Sequence, residues 1–287
     1  NIWKKQLYFT HVLVRKIYLL SIYDYIMNVE KLFNISNKVV ILTGASGFLG
    51  QQYSEALSQK NVKIVLADIN YQKCKKLEEQ LNKKYSNETL SLKLDVGNKK
   101  SVQNMVSKTL KKFGQIDGLI NNAVFPETVK ERSIPLETFP LDILQKIISV
   151  NTIGSFLCSQ EVGKIMAKKK NGVIVNISSI YGMVAADQRI YGKSGLNSSI
   201  GYALTKSSVI NLTRYLSSYW GNKGIRVNTL TLGGVEYNQD PEFIKKYSEK
   251  TMIGRMAQKD EYVGALVFLL SDASSYMTGS NLIVDGG

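Results

Sequence analysis

The stretch GYALTKSS, Gly201 to Ser208, sets Tyr202 and Lys206 four residues apart. On a helix, residues i and i+4 share one face, so the phenol and the ammonium would be neighbours. Acid–base chemistry is what such a pair could offer, provided that further polar groups surround it. A tyrosine and a lysine at this spacing are common in long chains. A half-exposed helix with a packed Tyr and a solvated Lys would give the same letters, so the surroundings have to decide.

A second chemical feature lies upstream. TGASGFLG, Thr43 to Gly50, places glycines at 44, 47 and 50 directly after a β-branched run. Glycines there permit a tight turn and close backbone approach to a pyrophosphate, which then sits at the N-terminus of the next helix. Ser46, Phe48 and Leu49 complete the loop and open that helix. Asp68 ends the next β-branched run, with Ile69 after it. An acid at that place binds the adenosine ribose hydroxyls and repels a 2′-phosphate. No Lys or Arg stands within the loop, so NAD is expected rather than NADP. A solvated acid at a strand end is the alternative reading of Asp68.

Composition narrows the classes. The formal charge is +14 at pH 7, from 37 Lys and Arg against 23 Asp and Glu. The lysines are scattered, no aromatic residues interleave with them, and no nucleic-acid partner is expected. The single histidine, His11, lies outside the patterned region, which argues against a Ser-His-Asp hydrolase or a histidine zinc site. Cys74 and Cys158 are far apart and form no C-x-x-C or metal-ligand spacing, so no metal is expected and a reducing, cytoplasmic setting fits.

These residues need a scaffold, and the patterning supplies one. Short apolar runs at 38–44, 62–69, 90–96, 116–123, 172–179, 225–234 and 281–287 read as strands. Helical stretches follow the first three, as in YQKCKKLEEQLNKKY from Tyr71. Strands alternating with helices of this length indicate an α/β fold, a parallel sheet covered on both faces. With no linker and no internal repeat, the expectation is one Rossmann-type doubly wound domain with a seven-stranded, mostly parallel sheet over residues 27–287.

In order along the chain stand TGASGFLG, LADI, LDV, NNAV, SVNTIGSF, NISS, YALTK, RVNTLTLGG and SDASSYMTGSNLIVDGG. Together they resemble the short-chain dehydrogenase/reductase family over about residues 36–287. The resemblance implies a role for each matching position. Tyr202 would be the general acid/base, passing a proton to or from the substrate oxygen. A free tyrosine titrates near ~10, so the Lys206 cation would favour its phenolate, and Lys206 would also bind the nicotinamide ribose. Ser179 would hydrogen-bond the reacting oxygen, with Ser178 as the alternative hydroxyl. Asn151 would help carry protons through a water, or merely cap a helix. Asn122, Ala123 and Val124 would line the cofactor, with Asp95 and Val96 near the adenine and the loop Leu232 to Val235, including Gly233, near the carboxamide.

The chain departs from the family pattern in three places. Val124 stands where glycine is usual, and Leu232 where proline is usual. Residues 180–201 separate Ser179 from Tyr202, against about a dozen residues in the family, and include Tyr181, Arg189, Tyr191 and Lys193. SSIYGMVA and LGGVEYNQDPEF also resemble the oxidoreductases of flagellin modification and of nonulosonic-acid (legionaminic-type) sugar biosynthesis. The implied substrate contacts are Ser179, Tyr181, Arg189 and Tyr202, with Arg189 and Lys193 as cations for an anionic sugar.

The resemblance thus implies an NAD-dependent oxidoreductase acting on a secondary alcohol or ketone of a sugar or sugar phosphate. Its partner would be a small-molecule substrate, in a homodimer or homotetramer. Two alternatives stand beside it. One is a sugar-nucleotide epimerase or dehydratase of the extended branch, whose glycine spacing matches Gly44, Gly47 and Gly50. Residues 207–287 are too short for that branch's additional substrate domain. The other is a catalytically idle NAD-binding scaffold, against which Asn151, Ser179, Tyr202 and Lys206 are all present.

Residues 1–26 are aromatic and basic, and their longest apolar run stops at Arg15 and Lys16. That is too short for a membrane span, and no small-residue cleavage site follows, so no membrane partner is expected. Met27 reads like a natural start, which makes 1–26 an over-long start or an appended segment. A chain beginning at Met27 should keep its activity and melt within a few degrees of the full chain. Thermal denaturation and turnover of the two side by side check this, and a large loss of either would show that the segment packs functionally.

Overall fold

Aliphatic runs without alternation belong to strands buried on both faces, and here every residue of Val39–Thr43 and of Gly172–Ser179 is buried. In the computed structural model, which describes residues 28–287, seven strands and eight longer helices alternate. The expectation for residues 1–26 lies outside the described residues. The elements run β1 (Val39–Thr43), α1 (Phe48–Gln59), β2 (Lys63–Asp68), α2 (Tyr71–Tyr85), β3 (Thr89–Lys93), α3 (Lys99–Phe113) and β4 (Gly118–Asn121). Then come α4 (Leu141–Ile148), α5 (Gly154–Lys169), β5 (Gly172–Ser179), α6 (Ile200–Trp220), β6 (Ile225–Leu232), α7 (Pro241–Ser248), α8 (Val263–Leu270) and β7 (Asn281–Val284).

The sheet order is β3-β2-β1-β4-β5-β6-β7, and all the pairings are parallel. The sheet is therefore wholly parallel rather than mostly so, because a helical crossover separates every strand from the next and returns the chain to the same end. The helices build a core on each face. One holds Tyr53, Leu57, Tyr262 and Leu266; the other holds Met105, Val162, Met166 and Trp220.

The strand order reverses between β1 and β4. At such a switch point the loops after the strands diverge, which opens a crevice at the carboxyl ends of the strands. The glycine loop and the Asn122–Val124 segment both leave their strands there.

Two local features position the polar side chains of that crevice. Ser199 caps α6 by accepting from the Gly201 N–H at 3.1 Å, which starts the helix just before Tyr202. Helices α4 and α5 run into one another through a wider π-type turn, Ser149–Ile153, and Asn151 sits in it. Such turns occur mostly as single bulges inside α-helices, frequently at functional sites. The whole helix, Leu141–Lys169, is long and apolar enough to cross a membrane by length and composition. It packs on β4 and β5 and buries Leu157, Cys158, Val162 and Met166.

Candidate active site

Close approach of backbones shapes the cofactor end of the crevice. Gly44 has φ +66°, and a Cβ there would lie 2.8 Å from the Ala123 Cα. A Cβ on Gly50 would lie 2.2 Å from the Gly44 carbonyl oxygen, so glycine alone lets α1 begin against the loop. The Thr43 hydroxyl accepts from the N–H groups of Asn122 and Ala123 at 3.0 and 3.1 Å. The Asn122 side chain donates to the carbonyls of Thr43 and Gly44, each at 3.1 Å. Asp68 accepts from the Ser46 N–H at 3.0 Å and from the Asn70 N–H at 2.9 Å, so its carboxylate already holds the loop.

A cavity of about 780 Å³ runs from Asp68 and Ile69 past Ser46, Gly47, Phe48 and Leu49 to Ser179, Tyr202 and Lys206. Val124, Gly233 and Val235 lie along its walls. A glycine cradle free of side chains, an acid at one end and a phenol at the other fit a nicotinamide dinucleotide.

At the far end, Lys206 is 7% exposed. Its Nζ donates to the Ile177 carbonyl at 2.9 Å and lies 5.6 Å from the centre of the Tyr202 ring. Among the described residues no carboxylate forms an ion pair with it. Burial alone pulls its pKa down to about 8.

Ser178 and Ser179 point to opposite faces of β5, as successive strand residues must. The Ser178 hydroxyl donates to the Lys206 carbonyl at 2.7 Å and ties β5 to α6. The Ser179 hydroxyl accepts from the Tyr181 N–H at 3.3 Å and lines the cavity with the Tyr202 phenol. Burial holds that phenol above its ordinary range, with Tyr191, Tyr247 and Glu127 adding to the effect and Ser179 opposing it. Asn151 is buried and engaged at both ends of its amide. It accepts from the Phe125 N–H at 2.7 Å and donates to the Thr205 hydroxyl at 2.9 Å.

The family model described as Enoyl-(Acyl carrier protein) reductase matches residues 44–287. The chain belongs to the short-chain dehydrogenase/reductase family. It is 32% identical to the post-translational flagellin modification protein A of Campylobacter coli, covering 88% of this chain and 98% of that one. It is 31% identical to an NAD-dependent glycerol dehydrogenase of Listeria innocua (90% and 96% covered) and to a D-threitol dehydrogenase of Mycolicibacterium smegmatis (91% and 96% covered). Among solved structures, a short-chain dehydrogenase of Leptospira borgpetersenii with bound NAD+ is similar at TM-score 0.78 and 32% identity, over 91% and 96% of the two chains. A gluconate 5-dehydrogenase of Burkholderia cenocepacia in complex with NADP and tartrate is similar at TM-score 0.81 and 27% identity, over 91% and 98%. Relatives of this chain thus oxidise or reduce alcohols and sugars with nicotinamide cofactors.

Within this family frame, the residues expected at the site divide between those that line the cavity and those that do not. Asp95 and Val96 do not line the cavity. Asp95 is exposed and accepts from the Gly97 N–H, while Val96 is buried against Gly154. Arg189 lies outside as well. Its side chain is 87% exposed and is held by Asp187, at 2.8 Å from Nε and 2.9 Å from Nη2. Lys193 is exposed and does not line the cavity either.

The long segment after Ser179 turns inward through Ile190 and Tyr191, which pack with Tyr247 and Met256 beneath α7. Apolar Ile190 goes under and charged Arg189 goes out, a periodicity legible only once the short turn Gln188–Tyr191 is known. Sequence patterning also misses Glu127, Arg132, Phe243 and Tyr247, which line the substrate end, and Lys73, which lines the cavity beside Asp68. A lone Glu, Arg or Lys outside any motif carries no signal until the fold brings it to the crevice.

The buried Lys206 ammonium has a thermodynamic consequence. With a folded pKa near 8 against 10.5 unfolded, the unfolded chain binds more protons between those values, so stability rises with pH across that window. Below pH 8 the destabilisation is fully present. Lys206→Met should therefore melt higher than the native chain at pH 7, with the gap closing as pH rises towards 10. Melting curves at the two pH values check this, and an equal or lower melting point for Lys206→Met at pH 7 would refute it.

Proposed function

We propose that the protein is an NAD-dependent oxidoreductase that interconverts a secondary alcohol and its ketone on a hydroxyl-rich, sugar-like substrate. The observation that carries this reading is the meeting of the Tyr202 phenol, the Ser179 hydroxyl and the Lys206 ammonium at one end of a cavity whose other end is a glycine cradle with Asp68. The cofactor would lie along Gly44, Ser46, Gly47, Phe48, Leu49 and Gly50, with its adenosine ribose at Asp68 and Ile69. Asn122, Ala123, Val124, Gly233 and Val235 would flank the remainder. When bound, the nicotinamide donates or accepts the hydride.

The residues of the chain handle the proton. In ketone reduction, Tyr202 Oη donates its proton to the substrate oxygen, and its raised pKa keeps that proton available at neutral pH. In alcohol oxidation the phenol must first lose its proton to solvent, and the phenolate then takes the proton of the substrate hydroxyl as the hydride leaves. The Lys206 ammonium, buried without a carboxylate, is the cation that favours the phenolate. Ser179 holds the reacting oxygen against Tyr202. Asn151, with both ends of its amide engaged, braces α6 against the cofactor loop, and it is this bracing that we assign to it.

Asp68 supports NAD, and so do the Listeria relative, named as NAD-dependent, and the Leptospira structure with bound NAD+. Lys73 in the same end of the cavity favours a second reading, in which NADP is also accepted. The absorbance of the reduced cofactor, followed over a panel of polyols, sugars and sugar phosphates, tests both. Tyr202→Phe should lower turnover by at least about 100-fold while NAD still binds. Asp68→Ala should narrow a preference for NAD of about tenfold or more, one decade being about 1.4 kcal/mol. Retention of a tenth of the activity by Tyr202→Phe would remove Tyr202 from the mechanism. Equal native efficiency with NADP would remove Asp68 as the selector.

A homodimer or homotetramer is part of the same reading, supported by Phe156 on α5 and Leu204, Tyr215 and Tyr219 on α6, all exposed and apolar or aromatic. Exposed apolar and aromatic side chains on neighbouring helices are a common mark of an interface. Sedimentation should give two or four times the 32.1 kDa chain mass; a monomer at micromolar concentration would exclude it. Buried, unpaired Cys74 and Cys158 support a cytoplasmic location.

A further inference from the structure

The substrate end of the cavity contains one carboxyl group, and the catalytic arrangement leaves it unused. Glu127 follows the cofactor-lining segment Asn122–Val124 and lies on the cavity wall with Arg132, Ser199, Tyr191 and Tyr202. Its place is fixed from behind: the Glu127 N–H donates to the Phe125 carbonyl at 3.1 Å, and the Phe125 N–H donates to Asn151. One carboxylate oxygen, Oε1, is buried and has no hydrogen-bond partner among the described residues. Ser199 stands near the carboxyl on the same wall, where its hydroxyl favours the charged form. Arg132 is close enough to favour its charge, yet forms no ion pair with it, and the Arg132 guanidinium lies 5.9 Å from the centre of the Tyr191 ring. A buried carboxylate oxygen without a donor is costly, and structures rarely keep one unless something else supplies the donor.

We propose that Glu127 is the specificity-determining residue of the substrate end. Its free oxygen accepts a hydrogen bond from a substrate hydroxyl other than the one being oxidised. The enzyme therefore selects polyols and neutral sugars over alcohols with a single hydroxyl, and it disfavours substrates that carry a phosphate or carboxylate at that place. The inference deepens the oxidoreductase reading and rests on it.

Three features support it. Burial pushes the Glu127 carboxyl above its ordinary range, as expected of an acceptor short of donors. Phenols crowd the same wall, where Tyr181, Tyr191 and Tyr247 line the cavity with Tyr202. The cations expected to receive an anionic substrate, Arg189 and Lys193, are not among the lining residues, and the cation on that wall, Arg132, stands close enough to Glu127 to favour its charge. A site built to hydrogen-bond a substrate hydroxyl rejects the analogue lacking it strongly, because the buried group is then left unpaired.

The test compares D-threitol with 2-butanol, which has no second hydroxyl, in the NAD+-loaded protein and its Glu127→Leu and Glu127→Gln variants. A hydrogen bond to a charged group sets the expected scale, so Glu127→Leu should lower kcat/KM for D-threitol by about 10- to 100-fold, and for 2-butanol by less than about threefold. Glu127→Gln keeps an acceptor and should lose less, and the affinity for NAD+ should not change in either variant. Equal losses on the two alcohols would make Glu127 structural, and no loss on D-threitol would overturn the proposal, as would a native enzyme that oxidises 2-butanol but not D-threitol. If the native protein oxidises neither, the oxidoreductase reading is decided by the panel of polyols, sugars and sugar phosphates, and it fails if none is turned over. Calorimetry of D-threitol binding then decides on Glu127: a weaker Kd in Glu127→Leu supports the assignment, and an unchanged Kd or no binding overturns it.

Discussion

A single ammonium, buried in a helix and held by one carbonyl, constrains the whole centre of this molecule. Lys206 reaches from α6 to the Ile177 carbonyl, so strand β5 and helix α6 must stay in one register for the charge to be satisfied. The fall in its pKa from 10.5 to about 8 corresponds to a destabilisation of roughly 3 kcal/mol at neutral pH. That is a large share of the 5–15 kcal/mol by which folded domains are typically stable. Under the proposed mechanism, that cost keeps a cation beside the phenol on which negative charge develops. The Ser178 hydroxyl, donating to the Lys206 backbone carbonyl, fixes the same register from the other side.

The second constraint is the wide turn in the Leu141–Lys169 helix. A regular α-helix would satisfy its own backbone and leave Asn151 in some other direction. With the bulge, the Asn151 amide reaches both Phe125, in the segment after β4, and Thr205, one residue before Lys206. One side chain thereby joins the cofactor wall, the helix carrying Tyr202 and the segment carrying Glu127. Loss of this brace would loosen all three together, while the cores on either face of the sheet would be left unchanged.

The long segment between Ser179 and Tyr202 turns apolar and aromatic residues inward. Its Ile190 and Tyr191, with Tyr247 and Met256 near α7, form a small apolar cluster of their own, separate from the two main cores. Tyr191 also stacks near Phe243 at 5.1 Å between ring centres. The segment therefore walls the substrate end with aromatic rings and phenols. Its cations are spent on the outside, Arg189 against Asp187, with Lys250 of the region after α7 bound to the same carboxylate.

The sheet and the glycine turn after β1 were legible in the sequence because their signals are local. A buried parallel strand is a run of β-branched residues, a loop that meets another backbone closely needs glycine, and all seven strands and Gly44 and Gly50 follow from those rules. The i, i+4 spacing of Tyr202 and Lys206 is likewise fixed by helix geometry alone. Which of two adjacent serines faces the phenol, which residues of the long segment turn inward, and whether Asp95 reaches the cavity were settled by packing between elements far apart in the chain. Glu127 is the clearest case. In sequence it is one acid among 23 Asp and Glu residues. Only the placing of the segment after β4 beside α6, braced through Asn151, gives it a buried oxygen on the same cavity wall as the Tyr202 phenol, because desolvation is a property of the folded surroundings and of no residue by itself.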